Sequence, residues 1–91
     1  MAFRLRFSSR ALREIGAAQE WYELQNPGLG EEFIAAMELQ LKRLEQAPLL
    51  YAEVIPSVRR ALLPRFPCGL FYAVRDDLVV LRRYEQEPVL P

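Results

Sequence analysis

Arginine is the residue type through which this sequence could do chemistry. Eleven of its twelve basic residues are arginine, and the planar guanidinium group suits phosphate and carboxylate groups better than the lysine ammonium does. The charges are also segregated along the chain: residues 1–13 carry +4, residues 14–53 carry −6, residues 54–83 carry +4 and the last eight residues carry −2. If the two basic segments meet in the fold, they form one positive surface beside an acidic helical layer.

The residue types that are missing exclude most familiar catalytic sites. The sequence has no histidine, so neither Ser-His nor Cys-His catalysis nor a histidine-ligated metal is available. A single cysteine, Cys68, allows neither an internal disulfide nor a cysteine-based zinc site. No glycine-rich nucleotide-binding motif occurs either. We therefore predict no metal and no cofactor.

The composition is typical of one small globular domain. Ninety-one residues, 52% of them hydrophobic and 26% charged, are too few for two domains and too apolar for a disordered chain. No apolar run approaches the roughly 20 residues of a membrane helix, and the opening residues lack the apolar segment of a signal peptide. We expect a cytoplasmic protein without a membrane partner.

The arginines must be positioned by the elements that the hydrophobic pattern predicts. Residues 2–7 alternate apolar and basic side chains, as in a half-buried strand. A helix then begins at an N-cap of Ser8 or Ser9 and ends near Gln25, before a strong turn signal. A second helix follows and ends before Pro48. The side chains predicted to face the core are Leu12, Ile15, Ala18 and Tyr22 of the first helix and Phe33, Ile34, Met37, Leu41 and Leu44 of the second.

Three further strands are predicted to form a β-meander, over residues 57–63, 68–75 and 78–84. Residues 48–56 are predicted to be a loop, apolar enough to pack on the domain. The order β-α-α-β-β-β indicates an α+β fold, a two-layer sandwich with a helical hairpin on a small antiparallel sheet. We predict one domain over residues 1–84 and a C-terminal tail over residues 85–91 that is extended or disordered.

Both faces of the predicted sheet carry apolar residues. In the middle strand of the meander, Leu70, Tyr72 and Val74 lie on one face, while Phe71 and Ala73 lie on the other. Two helices can cover only one face, and small monomers rarely leave a large apolar patch exposed. We therefore predict that a partner chain or a second copy covers the other face. The alternative is cover by the apolar loop.

Short segments follow one another in a characteristic order and spacing. They are Phe7-Ser8-Ser9-Arg10-Ala11-Leu12 with Ile15, Trp21-Tyr22, Asn26-Pro27-Gly28-Leu29-Gly30, the helix over residues 33–44, Pro48, Val58-Arg59-Arg60-Ala61-Leu62-Leu63, Arg65-Phe66-Pro67 and Leu70-Phe71-Tyr72-Ala73-Val74. Together, over about residues 2–84, they resemble the RelE/ParE superfamily of bacterial type II toxin–antitoxin toxins, which include plasmid stabilisation proteins. The resemblance implies the β-α-α-β-β-β fold and a cognate antitoxin that covers exposed apolar surface.

The resemblance implies one of two activities. ParE-like toxins inhibit DNA gyrase and are not nucleases, whereas RelE-like toxins cleave mRNA in the ribosome, a reaction that needs a base, an acid and cations around the phosphate. Here Gly69 stands where the RelE-like pattern has an arginine, and Glu85 and Glu87 stand near the phosphate where it has cations. We predict a ParE-like gyrase inhibitor that is not an enzyme. The alternatives are a RelE-like ribosome-dependent mRNA endoribonuclease and a non-toxic binding partner.

The candidate site residues follow from the same resemblance. For a nuclease, the predicted catalytic residues are Arg60, Arg65, Arg82 and Tyr84. The predicted target-binding residues are Arg59, Arg60, Arg65, Arg82, Arg83 and Tyr84. Because neighbouring strand residues point to opposite faces, only one of Arg59 and Arg60 can serve. Tyr84 has the alternative of packing on the core, and the exposed arginines that of a salt-bridged edge.

The predicted antitoxin contacts are Trp21, Leu24 and Phe71, with ordinary packing as the alternative for the two helical residues. The second predicted partner is the target of the toxin, which is DNA gyrase or, for the RelE-like alternative, the ribosome and its mRNA. A homodimer or a heterotetramer with the antitoxin is the expected assembly. The acidic residues Glu14, Glu20 and Glu23 are predicted to form the solvated face of the first helix.

Overall fold

In the computed structural model, which describes residues 3–87, two helices pack on one face of a five-stranded sheet. The elements in chain order are β1 (Arg4–Phe7), α1 (Ser9–Gln25), α2 (Leu29–Gln46), β2 (Glu53–Ile55), β3 (Val58–Leu62), β4 (Cys68–Arg75) and β5 (Leu78–Gln86). The strands lie in the order β1-β5-β4-β3-β2. The predicted α+β class with two layers is confirmed. Within residues 3–87, neither helix is long and apolar enough to cross a bilayer.

The sheet is mixed, where the sequence predicted an antiparallel one. β1 pairs in parallel with β5, with Arg4 opposite Leu78 and Phe7 opposite Leu81. Parallel neighbours need a long connection between them, and the whole of the intervening chain supplies it. The meander of β3, β4 and β5 is antiparallel as predicted.

The segment predicted to be a packed loop over residues 48–56 is only partly packed and contains a strand. Pro48 is buried and Tyr51 is half-buried, but residues 53–55 form β2, a fifth strand at the edge of the sheet, and are exposed. Ser57, with φ of 69°, makes the turn from β2 into β3. The apolar residues of this segment therefore do not cover the second face of the sheet.

The C-terminal boundary also differs from the prediction. β5 continues to Gln86, so the first two residues of the predicted tail pair with β4, Glu85 with Gly69 and Gln86 with Cys68. The backbone N–H of Glu87 then donates to the Pro67 carbonyl at 2.7 Å. The rest of the predicted tail, residues 88–91, and the predicted first residue of β1 lie outside the described residues.

The helices begin where the sequence predicts, and the predicted apolar stripes face the core except at Leu12. Ser8 caps α1, its Oγ accepting from the Ala11 N–H at 2.9 Å. That phase turns Ala11, Ile15 and Tyr22 inward and leaves Leu12 57% exposed, so the prediction of Leu12 as core is wrong. The buried residues of α2 are Gly30, Phe33, Met37, Gln40 and Leu44, whereas Ile34 and Leu41 are half-buried.

Gly30 lies at a close contact between the two helices. A Cβ at this position would lie 3.0 Å from the carbonyl oxygen of Gln19 and 3.1 Å from the Cβ of Glu23, so Gly30 is where α1 and α2 approach each other closely. Helix packing therefore fixes which side of α2 faces α1, and the side that faces the sheet follows from it. The spacing of the large apolar residues alone does not contain this information.

The core lies between the helices and the inner face of the sheet. Its centre is a group of aromatic rings, with Tyr22, Phe33 and Phe66 at centroid distances of 5.0 to 5.4 Å from one another and Tyr84 at 5.8 Å from Phe33. Edge-to-face pairs of this kind add to the burial energy of the rings. The inner residues of β4 and β5, among them Tyr72 and Leu81, complete the core.

Candidate functional site

The outer face of the sheet, opposite the helices, carries a half-buried apolar strip. Phe71 and Ala73 of β4 lie on it, and the register places Val80 opposite Ala73 and Leu78 opposite Arg75. These are the residues for which the sequence predicts a second apolar face. Part of their area is covered by long arginine side chains, whose stems can pack on apolar groups while their charges stay in water.

Two arginines flank the aromatic ring at one end of this strip. Arg60 of β3 and Arg83 of β5 are both register partners of Phe71, so the three side chains form a row across the sheet. The Cζ atom of Arg60 lies 5.8 Å from the Phe71 ring centroid and that of Arg83 lies 5.6 Å from it. Both distances are within the range of cation–π attraction. We call Arg60, Phe71 and Arg83 the arginine row.

Both guanidinium groups of the arginine row are paired with the chain's own carboxylates. Arg60 contacts Glu87, and Arg83 Nη2 lies 3.4 Å from Glu85 Oε2. In each pair the side chains are between 31% and 45% exposed. Glu85 and Glu87, the two glutamates that the sequence shows after β5's arginines, are therefore the ion-pair partners of the arginine row.

The strand irregularity next to the arginine row explains how Arg82 is placed. Phe71 pairs with Arg83 but Tyr72 pairs with Leu81, so Arg82 is the extra residue of a β-bulge. The Ser8 hydroxyl donates to the Arg82 carbonyl at 2.6 Å. The Arg82 side chain is exposed and takes part in no ion pair within residues 3–87. The other predicted site arginines, Arg59, Arg60, Arg65 and Arg83, each have a carboxylate partner in the described part of the chain.

Tyr84 lies on the other face, in the core. It is 4% exposed, its hydroxyl donates to the side-chain carbonyl of Gln86, and Gln86 in turn donates to the Tyr22 hydroxyl at 3.0 Å. Burial, and after it the neighbouring Cys68, raise the pKa of Tyr84 above its ordinary value. The structure thus places Tyr84 in the packing role and does not bring it to the arginine row.

Arg59 and Arg65 have partners of their own away from the arginine row. The Arg59 guanidinium donates to the Tyr51 carbonyl at 2.5 Å and pairs with Glu53 at 3.6 Å, which ties the 48–52 segment to the sheet. Arg65 pairs with Glu32 of α2 at 3.0 Å and lies over the Phe66 ring. Arg59 and Arg60 do point to opposite faces of β3, as the sequence predicts.

The predicted antitoxin contacts fall on two separate surfaces. Trp21 and Leu24, 53% and 83% exposed, lie on the outside of α1, and Trp21 borders a groove of about 400 Å³ between α1 and the end of β5. The other lining residues of the groove are Glu14, Ala17, Ala18, Tyr84 and Gln86. Phe71 lies on the outer face of the sheet. A partner that contacts all three must therefore reach both layers.

Sequence reasoning missed that two glutamates of α1 bind backbone N–H groups. Glu14 Oε1 accepts from the Tyr84 N–H at 2.9 Å, next to the bulge. Glu23 accepts from the N–H groups of Gly28 and Gly30, each at 3.0 Å, and so closes the turn between the helices. For Glu23 the sequence does contain a signal for this role, because Gly28 and Gly30 follow it by five and seven residues in a predicted turn. For Glu14 the partner is far away in sequence and depends on the bulge.

Neither acidic side chains nor Cys68 form a candidate metal site in the described residues. Across residues 3–87, no three cysteine, aspartate or glutamate side chains come together in a way that could hold a metal ion. Cys68 is buried, and burial raises the pKa of its thiol. Besides the arginine row, the bulge and the groove beside α1, the described residues form a groove of about 360 Å³ between α2 and the β3–β4 connection, bordered by Leu39 and Arg65.

Comparison with known proteins gives a consistent result. Residues 5–83 match the family model described as the ParE toxin of the type II toxin–antitoxin system, parDE. The structure is similar to that of a chromosomal ParDE system from P. aeruginosa, with a TM-score of 0.83 and 20% identity over 96% of this chain and 98% of that chain. No curated protein sequence matches the chain.

Two further solved structures share the fold. One is the intact E. coli RelBE toxin–antitoxin complex, with a TM-score of 0.72 and 19% identity over 97% of this chain and all of that chain. The other is a RelBE toxin–antitoxin complex from Mycobacterium tuberculosis, with a TM-score of 0.68 and 19% identity over 96% of this chain and 100% of that chain. At such low identity the similarity establishes the fold alone.

Proposed function

The chain belongs to the ParE toxin family of type II toxin–antitoxin systems, and we propose on that basis that it inhibits DNA gyrase and is neutralised by a cognate antitoxin. The structural observation that carries this proposal is the ion pairing of the arginine row. Both of its arginines are paired with Glu85 and Glu87. An inhibitor that acts by binding does not require free cations at that place, whereas a ribonuclease does.

The chemistry of RNA cleavage supports the same choice. Attack by a 2′-OH on phosphate needs a proton acceptor, a proton donor and positive charge on the phosphate oxygens. Tyr84, the candidate acid or base, is buried on the opposite face, and burial raises the pKa of its hydroxyl. Arg65 is engaged with Glu32. Of the four residues predicted for a nuclease, Tyr84 is thus on the inner face of the sheet and Arg65 in the β3–β4 connection, away from Arg60, which favours the ParE-like function.

Exposed apolar residues support an antitoxin partner. Trp21 and Leu24 on α1 are exposed, the apolar strip around Phe71 is half-buried, and apolar area in contact with water is unfavourable. We propose that the antitoxin contacts both surfaces, passing the end of β5 that lies between them. The proposed complex acts in the cytoplasm, as a heterotetramer or with a toxin homodimer at its centre.

A supercoiling assay tests the proposed target. The purified protein is titrated against DNA gyrase and relaxed plasmid. We expect inhibition that becomes complete near stoichiometric toxin and is relieved by the antitoxin. Full supercoiling at a large molar excess contradicts gyrase inhibition. Ribosome-dependent cleavage of mRNA by the same preparation supports the RelE-like alternative, and neither activity supports a non-toxic binding partner.

Arg82 provides a variant for this assay. Its side chain is exposed on the bulge and free of ion pairs within the described residues, so Arg82→Ala is expected to weaken inhibition without lowering stability. Lys42→Ala is the matched control, because Lys42 is also exposed, carries the same charge and lies on α2. Equal inhibition by the two variants rules out Arg82 as a target contact.

A further inference from the structure

The arginine row has the geometry of a small anion-binding site. Neighbouring strands lie about 4.8 Å apart, so Arg60 and Arg83, one strand away on either side of Phe71, stand within about 10 Å of each other. Two guanidinium groups beside an aromatic ring are the combination that binds single-stranded nucleic acid, in which phosphates pair with arginines and a base stacks on the ring. The row therefore has the chemistry to hold a phosphodiester, and a base can stack on Phe71 once the phosphate draws a guanidinium group away from the ring.

Gly69 determines how Arg60 lies in the row. A Cβ on Gly69 would be 2.8 Å from Arg60 Nε and 3.4 Å from its Cγ. The Arg60 side chain therefore crosses β4 directly above this glycine, towards the end of β5 where Glu87 follows. Any larger residue at position 69 would force Arg60 out of this path. The pairing of Arg60 with Glu87 thus depends on a gap in the surface of β4.

The two glutamates are held in place by the sheet. Glu85 is paired with Gly69 in the β4–β5 ladder, and the Glu87 N–H bonds to Pro67. Their carboxylates therefore act at the high effective concentration of an intramolecular group. In both Arg60 and Arg83 the Nε atom is buried and has no hydrogen-bond partner within residues 3–87. The arginines keep donors that their glutamates do not use.

We propose that Glu85 and Glu87 are built-in counter-ions that occupy an anion-binding site formed by the arginine row, and that they exclude the phosphodiester backbone of single-stranded nucleic acid from it. The two carboxylates cancel the two guanidinium charges and repel an incoming phosphate. Removing the carboxylates leaves a net charge of +2 around Phe71, next to the unpaired Arg82. This inference goes beyond gyrase inhibition, because it concerns a second class of ligand and the residues that reject it.

The test compares two charge-matched double variants. Glu85→Gln/Glu87→Gln opens the proposed site, and Glu20→Gln/Glu38→Gln removes two carboxylates from exposed positions on α1 and α2. Fluorescence anisotropy measures the binding of a labelled 12-nucleotide RNA and of the DNA with the same sequence. We expect the first variant to bind both at least about tenfold more tightly than the control, with an affinity that falls with salt as about two phosphate contacts require.

A triple variant tests the assignment to the row. Adding Arg60→Gln to Glu85→Gln/Glu87→Gln is expected to abolish most of the gain. Equal binding by the two double variants overturns the proposal, as does a gain that survives the loss of Arg60. Binding of the RNA but not the DNA also contradicts it, since a site of arginines and one ring does not read the 2′-OH.

Two controls separate folding and target effects from this result. Thermal melting shows whether each variant is folded, and if the double variant is not, Glu85→Gln and Glu87→Gln alone are each expected to give part of the gain. The gyrase assay uses none of these glutamate variants and no oligonucleotide. A failure of the gyrase proposal and a failure of this one therefore appear in different experiments.

Discussion

Several glutamates of this protein bond to backbone N–H groups that regular secondary structure leaves without partners. Glu14 accepts from Tyr84 beside the bulge, Glu23 closes the turn between the helices, and Glu53 accepts from the Ser57 N–H at 3.2 Å. A hydrogen bond to a charged acceptor is stronger than a neutral one. Part of the acidic charge that the sequence places on the helical layer therefore serves the fold.

A substitution at Glu14 tests this role. Glu14→Ala leaves the half-buried Tyr84 N–H without an acceptor and also removes the ion pair with Arg10. We expect the free energy of unfolding in urea to fall by about 1–3 kcal/mol. Glu20→Ala is the control on the same helix, because Glu20 is exposed, and a change within about 0.5 kcal/mol is expected there. Similar losses in both variants would mean that the bond to Tyr84 contributes little.

At the scale of the elements, local chemistry in the sequence specifies much of the fold. The Ser8 cap and the Asn26-Pro27-Gly28 turn predict the helix boundaries, and the apolar run of residues 68–75 predicts β4. The addition of β2 and the parallel pairing of β1 are not contained in these local signals. The pairing of β1 depends on a contact between distant segments, Arg4–Phe7 with Leu78–Leu81.

The candidate site, too, is predicted from the sequence only in part. The sequence proposes Arg60 and Arg83 only within a wider set that includes residues the structure places elsewhere, and it notes the two C-terminal glutamates as a departure from the RelE-like pattern. It does not predict that each arginine pairs with one glutamate, since this needs the β4–β5 register and the gap above Gly69. The burial of Tyr84 also depends on the bulge, which shifts the alternation of β5 by one residue.

Two glycines in the helices test the packing of α1 on α2. In Gly30→Ala the new methyl group would lie 3.0 Å from the Gln19 carbonyl, so we expect a loss of about 1–3 kcal/mol from overpacking. In Gly16→Ala nothing lies within 4 Å of the methyl group, and the better helix propensity of alanine should stabilise the protein by about 0.5–1 kcal/mol. Denaturant unfolding measures both, and opposite signs are the expected result.

For the molecule as a whole, several buried groups of the core resist deprotonation. Burial raises the pKa values of Cys68 and Tyr84 and raises the pKa of Tyr72 to about 12. The unfolded chain loses these protons at lower pH than the folded one. Stability is therefore fully present below the ordinary pKa values and is lost as pH rises towards the folded values.

Alkaline melting of Tyr72→Phe tests this linkage. The hydroxyl of Tyr72 donates to the Pro48 carbonyl at 2.6 Å, so the variant should melt at a lower temperature than the wild type at neutral pH. Because phenylalanine does not titrate, its melting temperature should fall less steeply than that of the wild type between about pH 10 and pH 12. Parallel curves for the two proteins would show that Tyr72 does not titrate with unfolding.

The pairing of β1 with β5 also has a consequence for synthesis. β1 is made first, but its only neighbour in the described sheet is β5, the last strand to leave the ribosome. Until then the first strand has nothing to pair with, and a late contact between distant segments slows folding. A nascent chain that stops before β5 lacks the strand that joins β1 to β4 and, with it, Arg83 of the arginine row. The described sheet is complete only when almost all of the described sequence has been translated.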